Sequence, residues 1–491
     1  MKKVSRKQFT RGAIWKIIES FSSKGITMIV SIILARILSP QDYGIIALTG
    51  IFLNFSNIII DGGFSTALIR KKEVDDCDYS SAFIASFSIA MVIYFTLFIG
   101  APYFAAYYQE SMLCPVLRVL GLTVFIQAIT VTRTVVVSRN MQFQLLCYCN
   151  IISSIFSGFI GIIAALMGAG VWAIVIQWML QNLLMTILFF KKIKFNIKWK
   201  FNLARLKDIM RFSIGVMSAS FLYFVTNNMY SSVIGKKYSV TDLGYYSKGN
   251  QLPEQICLYT FSAVSGVLLP TISSCQDDLN RMKYIIRKVT AFSTYIIFPL
   301  MAGMMMMTEE LIVLIFGEKW MSAAPVMIGS CIYYIGMPFT LMNSQVYYAL
   351  GRNYVKLKIE CIRFVLMVIG LTIGILFINA RIEHLAIICG FIMIISAVMS
   401  FYETGKMLQY RFFEIVQDVG KPFFCTVLMS IVIWLSGHAF TPNSLIDIMI
   451  MLVLKTSVGI VIYIIVSEIF KPDGYYEIRN NISSVICKIR S

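Results

Sequence analysis

Charged side chains inside apolar stretches are the residues of this sequence most able to do chemistry. They are Lys16, Glu19, Lys24, Arg118, Glu254, Arg363 and Lys455. A charge at membrane depth costs several kcal/mol unless it faces water or an opposite charge. Cations in such a site bind anions strongly, and a carboxylate there can carry a proton or a sodium ion. These residue types predict a binding site and an ion-coupling site.

Polar side chains also follow helix faces in register. Four of them keep the spacing i, i+3, i+7 and i+11 of one helix face, namely Ser20, Ser23, Thr27 and Ser31. An offset of 200 carries these onto Ser220, Tyr223, Asn227 (beside Asn228) and Ser231. A similar stripe consists of Asn54, Asn57 and Asp61, and the same offset places Asn54 on Glu254. Matched stripes favour a hydrated cavity, and helix packing through Ser and Thr is the alternative.

The elements that carry these residues are transmembrane helices. Hydrophobic residues make up 58% of the chain against 14% charged, and the mean hydropathy is +0.76, which excludes a soluble globular class. Apolar runs of about 20 residues, long enough to cross a bilayer, follow one another closely. The predicted spans are 12–35, 43–61, 80–100, 116–137, 146–166, 170–190, 212–234, 245–268, 289–307, 323–348, 357–378, 383–402, 421–437 and 445–468.

Alternate loops between these spans differ sharply in basic residues. One side collects 32 Lys and Arg, including both termini, and the other has six, which predicts cytoplasmic termini. The net charge of +18 follows from this distribution, so a nucleic-acid-binding domain is not indicated. The 11 cysteines show no metal-ligand spacing and the chain has only two histidines, which makes a metal site or a histidine triad improbable.

An internal repeat organises the spans. ILARILSPQDYGIIAL (33–48) aligns with VIGKKYSVTDLGYYSK (233–248), and Ser, Asp and Gly recur in register. Both copies enter the membrane from the same side, so their pseudo-twofold axis runs along the membrane normal. The expected fold is an all-α polytopic membrane protein with about 14 helices, two six-helix lobes and two extra C-terminal helices. The predicted domains are an N-lobe (1–195), a C-lobe (196–410) and a C-terminal pair of spans with its tail (411–491).

Several ordered motifs resemble one known family. They are LARILSPQDYG and DGGFSTALIRKK in the first half, then IGKKYSVTDLGYYSKGNQLP, LPTISSCQDD, FGEKW, APV and ALGRN in the second. Together they resemble the multidrug/oligosaccharidyl-lipid/polysaccharide exporter superfamily, and within it the Wzx-type polysaccharide flippases. One departure is Tyr230, which stands where many relatives carry an acidic residue.

The resemblance implies a function and a site. Such proteins move undecaprenyl-pyrophosphate-linked sugar repeats across the bacterial inner membrane by alternating access, for polysaccharide or lipopolysaccharide biosynthesis. It also implies a cavity lined by spans 1, 2, 7 and 8 and a lipid-tail groove at spans 13 and 14. No cofactor is expected, and a polysaccharide polymerase machinery is a candidate partner.

For a substrate linked to undecaprenyl pyrophosphate, the lysines of span 1 are candidate ligands for the diphosphate. Lys24, with Lys16 and Arg118, would seat it, whereas the repeat counterparts of the two lysines are Val216 and Phe224. The alternative for Lys16 is that it reaches the cytoplasmic surface and pairs with Glu19.

The remaining charges have two interpretations each. Glu254 follows Pro253, which can kink a helix, so it is a coupling candidate for a proton or sodium ion, as is Glu19. Pairing with a lysine is the alternative for Glu254. Arg363, one turn from Glu360, and Lys455 are cavity groups or ties between helices.

Rival functions remain. A multidrug antiporter of the same superfamily would share the fold but is expected to favour acidic cavity residues. A membrane polymerase or ligase, which is an enzyme, usually needs a large external loop, and no predicted external loop exceeds about 15 residues. The sequence therefore favours a transporter.

Overall fold

A computed structural model gives the fold of residues 22, 24–61, 64–65, 68, 74–139, 142–192, 202–273, 275, 277–376, 380–437, 444–476 and 479. All regular structure within these ranges is helical. The helices are α1 (24–37), α2 (Pro40–Asp61), α3 (Asp76–Tyr108), α4 (Leu113–Gly121), α5 (Thr123–Arg139), α6 (Phe143–Leu166), α7 (Val171–Lys192), α8 (Leu203–Lys237), α9 (Val240–Ser273), α10 (Leu279–Met306), α11 (Thr308–Phe316), α12 (Ala324–Ala349), α13 (Asn353–Leu376), α14 (Ile382–Leu408), α15 (Phe412–Gly437) and α16 (Leu445–Phe470). A short 3₁₀ helix, Glu318–Ala323, joins α11 to α12.

The chain is a multi-pass membrane protein, and the all-α polytopic prediction is confirmed. Within the described ranges, 11 helical segments are long and apolar enough to cross a bilayer, and they match predicted spans 2–6 and 9–14. Predicted spans 7 and 8 fall on α8 and α9, and span 1 is described only from residue 22 onwards. The total of 14 stays a prediction.

The two copies of the repeat begin their helices in the same way. At the start of α2, the Asp42 amide donates to Ser39 Oγ at 3.2 Å and Ser39 Oγ donates to the Asp42 carboxylate at 2.7 Å. At the start of α9, Asp242 and Ser239 repeat both bonds at 2.9 and 2.7 Å. Serine and aspartate at this spacing satisfy amides that the first helical turn leaves open. The recurring Ser and Asp of the sequence are therefore helix caps.

The recurring glycines allow these two helix starts to cross. A Cβ on Gly44 would lie 1.8 Å from the Val240 carbonyl oxygen, and a Cβ on Gly244 would lie 2.0 Å from that of Pro40. Each contact is the other shifted by 200 residues, so the crossing keeps the symmetry of the repeat. No other residue type fits at either position without moving a backbone.

The chain forms two compact units, residues 1–244 and 245–491, and the boundary falls inside α9. In the first unit α8 packs on α2 and α3, and α6 packs on α7. Arg133 of α5 is 4% exposed and its guanidinium lies 3.5 Å from the ring centroid of Phe190 on α7. The domain boundaries inferred from the repeat remain a prediction.

In the second unit the most extensive helix contact joins α12 and α14. Gly329, Gly336 and Gly390 lie at this contact, where an added Cβ would meet backbone atoms of the facing helix at 2.5, 3.0 and 2.8 Å. Close approach through glycine is a common way to pack helices in lipid, where the hydrophobic effect does not drive association. The second unit therefore has a tightly packed helix pair at its centre.

Candidate functional site

Lys24, one of the two lysines of predicted span 1, lies at the start of α1. Lys24 is exposed, Thr27 is exposed and Ser31 is half-buried, and the three share one helix face. The Ser31 carbonyl accepts a hydrogen bond from the hydroxyl of Tyr43 on α2 at 3.1 Å. Lys16, Glu19, Ser20 and Ser23 lie outside the described residues.

The predicted stripe of α2 is less buried than the residues next to it in the sequence. Asn54 is exposed, and Asn57 and Asp61 are half-buried. The carboxylate of Asp61 accepts a hydrogen bond from the hydroxyl of Ser65. An adjoining face of the same helix is buried and includes Leu53, Ser56 and Ile60. Helix α2 is thus polar on one face and packed on the other.

The stripe of α8 is also less buried than its neighbours Thr226, Tyr230 and Ile234. Tyr223 is exposed, and Ser220, Asn227, Asn228 and Ser231 are half-buried. The side-chain amides of Asn227 and Asn228 donate to the backbone carbonyls of Tyr223 and Phe224 at 2.8 and 2.9 Å. Each amide oxygen keeps acceptor capacity for water or a hydroxyl.

Aromatic contacts bring the two stripes onto neighbouring helices. The ring of Phe55 on α2 lies 5.9 Å from that of Phe221 and 5.8 Å from that of Phe224 on α8. Tyr230, the departure from the family pattern, belongs to the buried face of α8 and is 1% exposed. An aromatic side chain suits that position, because a carboxylate there would need a partner.

Arg118 has its own partners on α3. Its Nε donates to the Phe98 carbonyl at 3.2 Å, and its guanidinium lies 4.3 Å from the ring centroid of Phe98. A hydrogen bond to a carbonyl and contact with an aromatic ring can together stabilise a guanidinium that has no carboxylate partner. The structure places Arg118 in the α3–α4 contact of the first unit.

The coupling candidate Glu254 belongs to a polar cluster of the second unit. Asn250, one turn earlier on α9, donates to Glu254 at 3.5 Å and to the hydroxyl of Tyr334 on α12 at 3.3 Å. Tyr334 is 5% exposed, and its carbonyl accepts a contact from the Cys257 thiol at 3.5 Å. The sequence did not reveal Asn250 and Tyr334 as neighbours of Glu254, although the i, i+4 spacing of Asn250 is a signal for it.

The last two intramembrane cations lie in ion pairs. Arg363 is 3% exposed and its Nη2 lies 2.7 Å from the Glu360 carboxylate on the same helix. Lys455 of α16 pairs with Glu310 of α11, and both side chains are largely buried. For Lys455 this arrangement ties one helix to another.

An apolar cavity of about 520 Å³ lies among α10, α12, α14 and α15. Its walls include Phe298, Ile335, Phe391, Phe423 and Trp434. Helix α15 is predicted span 13, one of the two spans at which the resemblance places a lipid-tail groove. The apolar walls of the cavity suit a hydrocarbon chain.

The arrangement of the described residues supports binding of a polar ligand. Within the described residues, no group of three or more His, Cys, Asp or Glu side chains is placed to hold a metal ion. Amides, hydroxyls and a lysine on α1, α2 and α8 offer hydrogen bonds to a polar ligand.

The chain is similar in sequence to known polysaccharide biosynthesis proteins. The sequence profile of the polysaccharide biosynthesis protein family matches residues 33–325. The chain is 27% identical over 327 residues to the succinoglycan biosynthesis transport protein ExoT of Rhizobium meliloti (strain 1021), covering 66% of each chain. It is 19% identical over 443 residues to the lipopolysaccharide biosynthesis protein WzxC of Escherichia coli (strain K12), covering 88% of each.

A solved structure shows the same fold. The lipid II flippase MurJ, in an inward closed conformation, matches with a TM-score of 0.75 and 17% identity over 93% of this chain and 98% of that one. At this identity the likeness establishes the fold alone. The resemblance read from the sequence motifs is confirmed.

Proposed function

The chain belongs to the polysaccharide biosynthesis protein family, and on that basis we propose that it is a flippase for lipid-linked oligosaccharides. It moves undecaprenyl-pyrophosphate-linked repeat units from the cytoplasmic to the outer leaflet of the inner membrane by alternating access. The translocated units supply O-antigen, capsule or exopolysaccharide synthesis. The observation that carries the proposal is the family match over residues 33–325, which spans the helices bearing the polar stripes.

The proposed substrate has three chemically distinct parts. The sugars would bind the amides and hydroxyls of α2 and α8, chiefly Asn54, Asn57, Tyr223 and Asn227. The prenyl chain would follow apolar surface such as the cavity among α10, α12, α14 and α15. The chain binds and moves this lipid without making or breaking a covalent bond, so it is a transporter and not an enzyme.

Lys24 is the proposed ligand of the pyrophosphate. It is exposed, it lies on the polar face of α1, and a cation in a site of low dielectric attracts a diphosphate strongly. Arg118 contacts the carbonyl and ring of Phe98, so the proposal depends on Lys24 more than on Arg118.

Glu254 is the proposed coupling residue for a proton or sodium ion. Its carboxylate is half-buried beside Asn250 and Tyr334, and Pro253 leaves a backbone carbonyl of the same helix without its usual donor. A neutral amide and a phenol can serve either form of a carboxylate that gains and loses a cation.

The charge distribution supports a proposed orientation. Both termini face the cytoplasm, because 32 of the Lys and Arg residues lie in segments on that side. A cytoplasmic side rich in cations also attracts an anionic pyrophosphate lipid before it is translocated.

A flipping assay in proteoliposomes tests the proposal. Purified protein should move an undecaprenyl-pyrophosphate-linked oligosaccharide from one leaflet to the other, measured as its accessibility to an added glycosidase. Lys24→Ala should lower the rate about tenfold or more, the loss of one charge-assisted contact. Arg36→Ala is the matched control, since Arg36 is an exposed cation on the same helix, and it should leave the rate unchanged.

The same assay tests coupling and the rival function. An imposed proton or sodium gradient should accelerate flipping, and Glu254→Gln should remove that acceleration while downhill flipping persists. If equal rates were found for Lys24→Ala and Arg36→Ala, the pyrophosphate assignment would be wrong. If cationic small molecules moved and the glycolipid did not, the protein would be a multidrug antiporter.

A further inference from the structure

A second cavity, separate from the polar stripes, lies at the basic end of α10 in the second unit. It has a volume of about 450 Å³, and its walls include Tyr284, Arg287, Lys288, Asp418, Asp473 and Tyr476. Asp473 and Tyr476 follow the end of α16, where Gly474 packs closely against the Ala291 carbonyl of α10. The cavity is therefore formed at the ends of three helices, and its charged residues lie just outside the predicted spans 289–307, 421–437 and 445–468.

One wall of this cavity carries two basic side chains, and the first of them is held in place. Arg287 donates from Nε and Nη2 to Asp418 at 2.8 Å each and from Nη1 to Glu414 at 3.2 Å. A guanidinium has five N–H donors, so two remain for a ligand. Lys288 adds an exposed ammonium at 5.0 Å from the ring centroid of Tyr284.

Asp418 lines the cavity but its charge is already neutralised. Its carboxylate accepts two bonds from Arg287 and one at 2.6 Å from the hydroxyl of Tyr410. Burial, together with this bond, raises the pKa of the Tyr410 phenol, so Tyr410 stays a donor at physiological pH. Arg287 is thereby fixed as a preorganised donor for phosphate oxygens.

The other wall is anionic and aromatic. Asp473 is exposed, and within the described part of the chain its carboxylate has no hydrogen bond or ion pair. Tyr476, three residues later, is 42% exposed and lines the same cavity. A carboxylate with tyrosine faces is a favourable environment for a primary ammonium group.

We propose that this cavity binds the phosphoethanolamine headgroup of a bilayer phospholipid. The phosphate contacts Arg287 and Lys288, and the ammonium contacts Asp473 and the ring of Tyr476. The Lys288 ammonium and the Asp473 carboxylate match the two charges of a zwitterion, whereas an anionic phosphatidylglycerol headgroup would leave Asp473 facing a like charge or none. This site is independent of the proposed flipping activity.

Native mass spectrometry of the full chain tests this assignment. Protein is extracted from vesicles of equimolar phosphatidylethanolamine and phosphatidylglycerol. It should retain about ten times more phosphatidylethanolamine than phosphatidylglycerol, as expected for one added charge contact. Lys288→Ala and Asp473→Asn should each lower phosphatidylethanolamine retention about five- to tenfold. Lys421→Ala is the control, because Lys421 is an exposed lysine of α15 outside the cavity, and it should change nothing.

The three variants alter exposed side chains, so their thermal unfolding midpoints should match the wild type and confirm folding. Equal or greater retention of phosphatidylglycerol by the wild type would overturn the assignment. So would unchanged phosphatidylethanolamine retention in Asp473→Asn, because the ammonium contact distinguishes this headgroup from an anionic one.

Discussion

Lys455 and Glu310 show how a charge is tolerated at membrane depth. The two side chains are 8% and 12% exposed and form an ion pair between α16 and α11. A Cβ on Gly437 would lie 3.2 Å from the Lys455 ammonium, so the pair is enclosed on that side as well. Each charge is stable there because the other is present.

Removing one partner should therefore be worse than removing both. Lys455→Met should lower the stability by about 3–5 kcal/mol, because it leaves Glu310 buried without its cation. Adding Glu310→Gln should restore most of that loss. Thermal unfolding in detergent measures both effects.

A surface pair supplies the control for this comparison. Lys358 pairs with Glu403 at 3.0 Å but its side chain is 58% exposed, so Lys358→Met should cost about 0–1 kcal/mol. If Lys455→Met unfolded at the same temperature as Lys358→Met, the interpretation of the buried pair would be wrong.

Sequence predicted which residues carry intramembrane charge but only some of their partners. The pairing of Arg363 with Glu360 can be read from their i, i+3 spacing, since both lie on one helix face. Glu310 is 145 residues from Lys455, and no spacing rule connects them. Local partners follow from helical periodicity, whereas distant partners depend on which helices pack.

At the level of elements, the crossing of α2 and α9 is the feature with the tightest geometry. Gly44 and Gly244 each lie where an added Cβ would overlap a carbonyl oxygen of the other helix. Backbone atoms cannot rotate away as a flexible side chain can, so the crossing tolerates nothing larger than glycine.

Gly44→Ala should therefore destabilise the protein by about 1–3 kcal/mol, the usual cost of overpacking, or more if the helices separate. Gly50→Ala is the matched control in the same helix, because nothing lies within 4 Å of the added Cβ. It should be neutral or stabilise by up to about 1 kcal/mol. Thermal unfolding of both variants checks this, and identical midpoints would contradict the crossing.

Hydropathy located the helices well and their ends less well. Predicted span 9 begins at residue 289, whereas α10 begins at Leu279, because its first turns carry Arg281, Lys283 and Arg287. Predicted span 4 appeared continuous, whereas the structure has two helices that meet at Leu122. Apolar content marks the part of a helix inside the membrane, and it does not record where the helix breaks or continues into water.

At the scale of the whole molecule, the repeat predicts two related lobes, but it does not predict which helices pack together. The repeat aligns α8 with α1, and in the structure α8 packs on α2 and α3 within the unit of residues 1–244. Sequence similarity between halves records common ancestry and topology. Which helices pack together depends on side-chain shape across the contact, as the Phe55 contacts with α8 illustrate.

Part of the candidate site could also be predicted from the sequence, and part could not. The stripes of α2 and α8 were predicted from helical spacing, and in the structure their side chains are exposed or half-buried. The neighbours of Glu254 and the headgroup cavity depend on tertiary packing, so the sequence alone did not indicate them.

The most direct test of the account is the position of the lipid-linked oligosaccharide after depletion of this protein in cells. Periplasmic glycosidase treatment of spheroplasts, followed by mass spectrometry of the lipid fraction, reports which leaflet holds the complete repeat unit. The account predicts a full-length unit that accumulates in the inner leaflet and resists the enzyme. A full-length unit that accumulates in the outer leaflet, with polymer lost, would contradict it and indicate a polymerase.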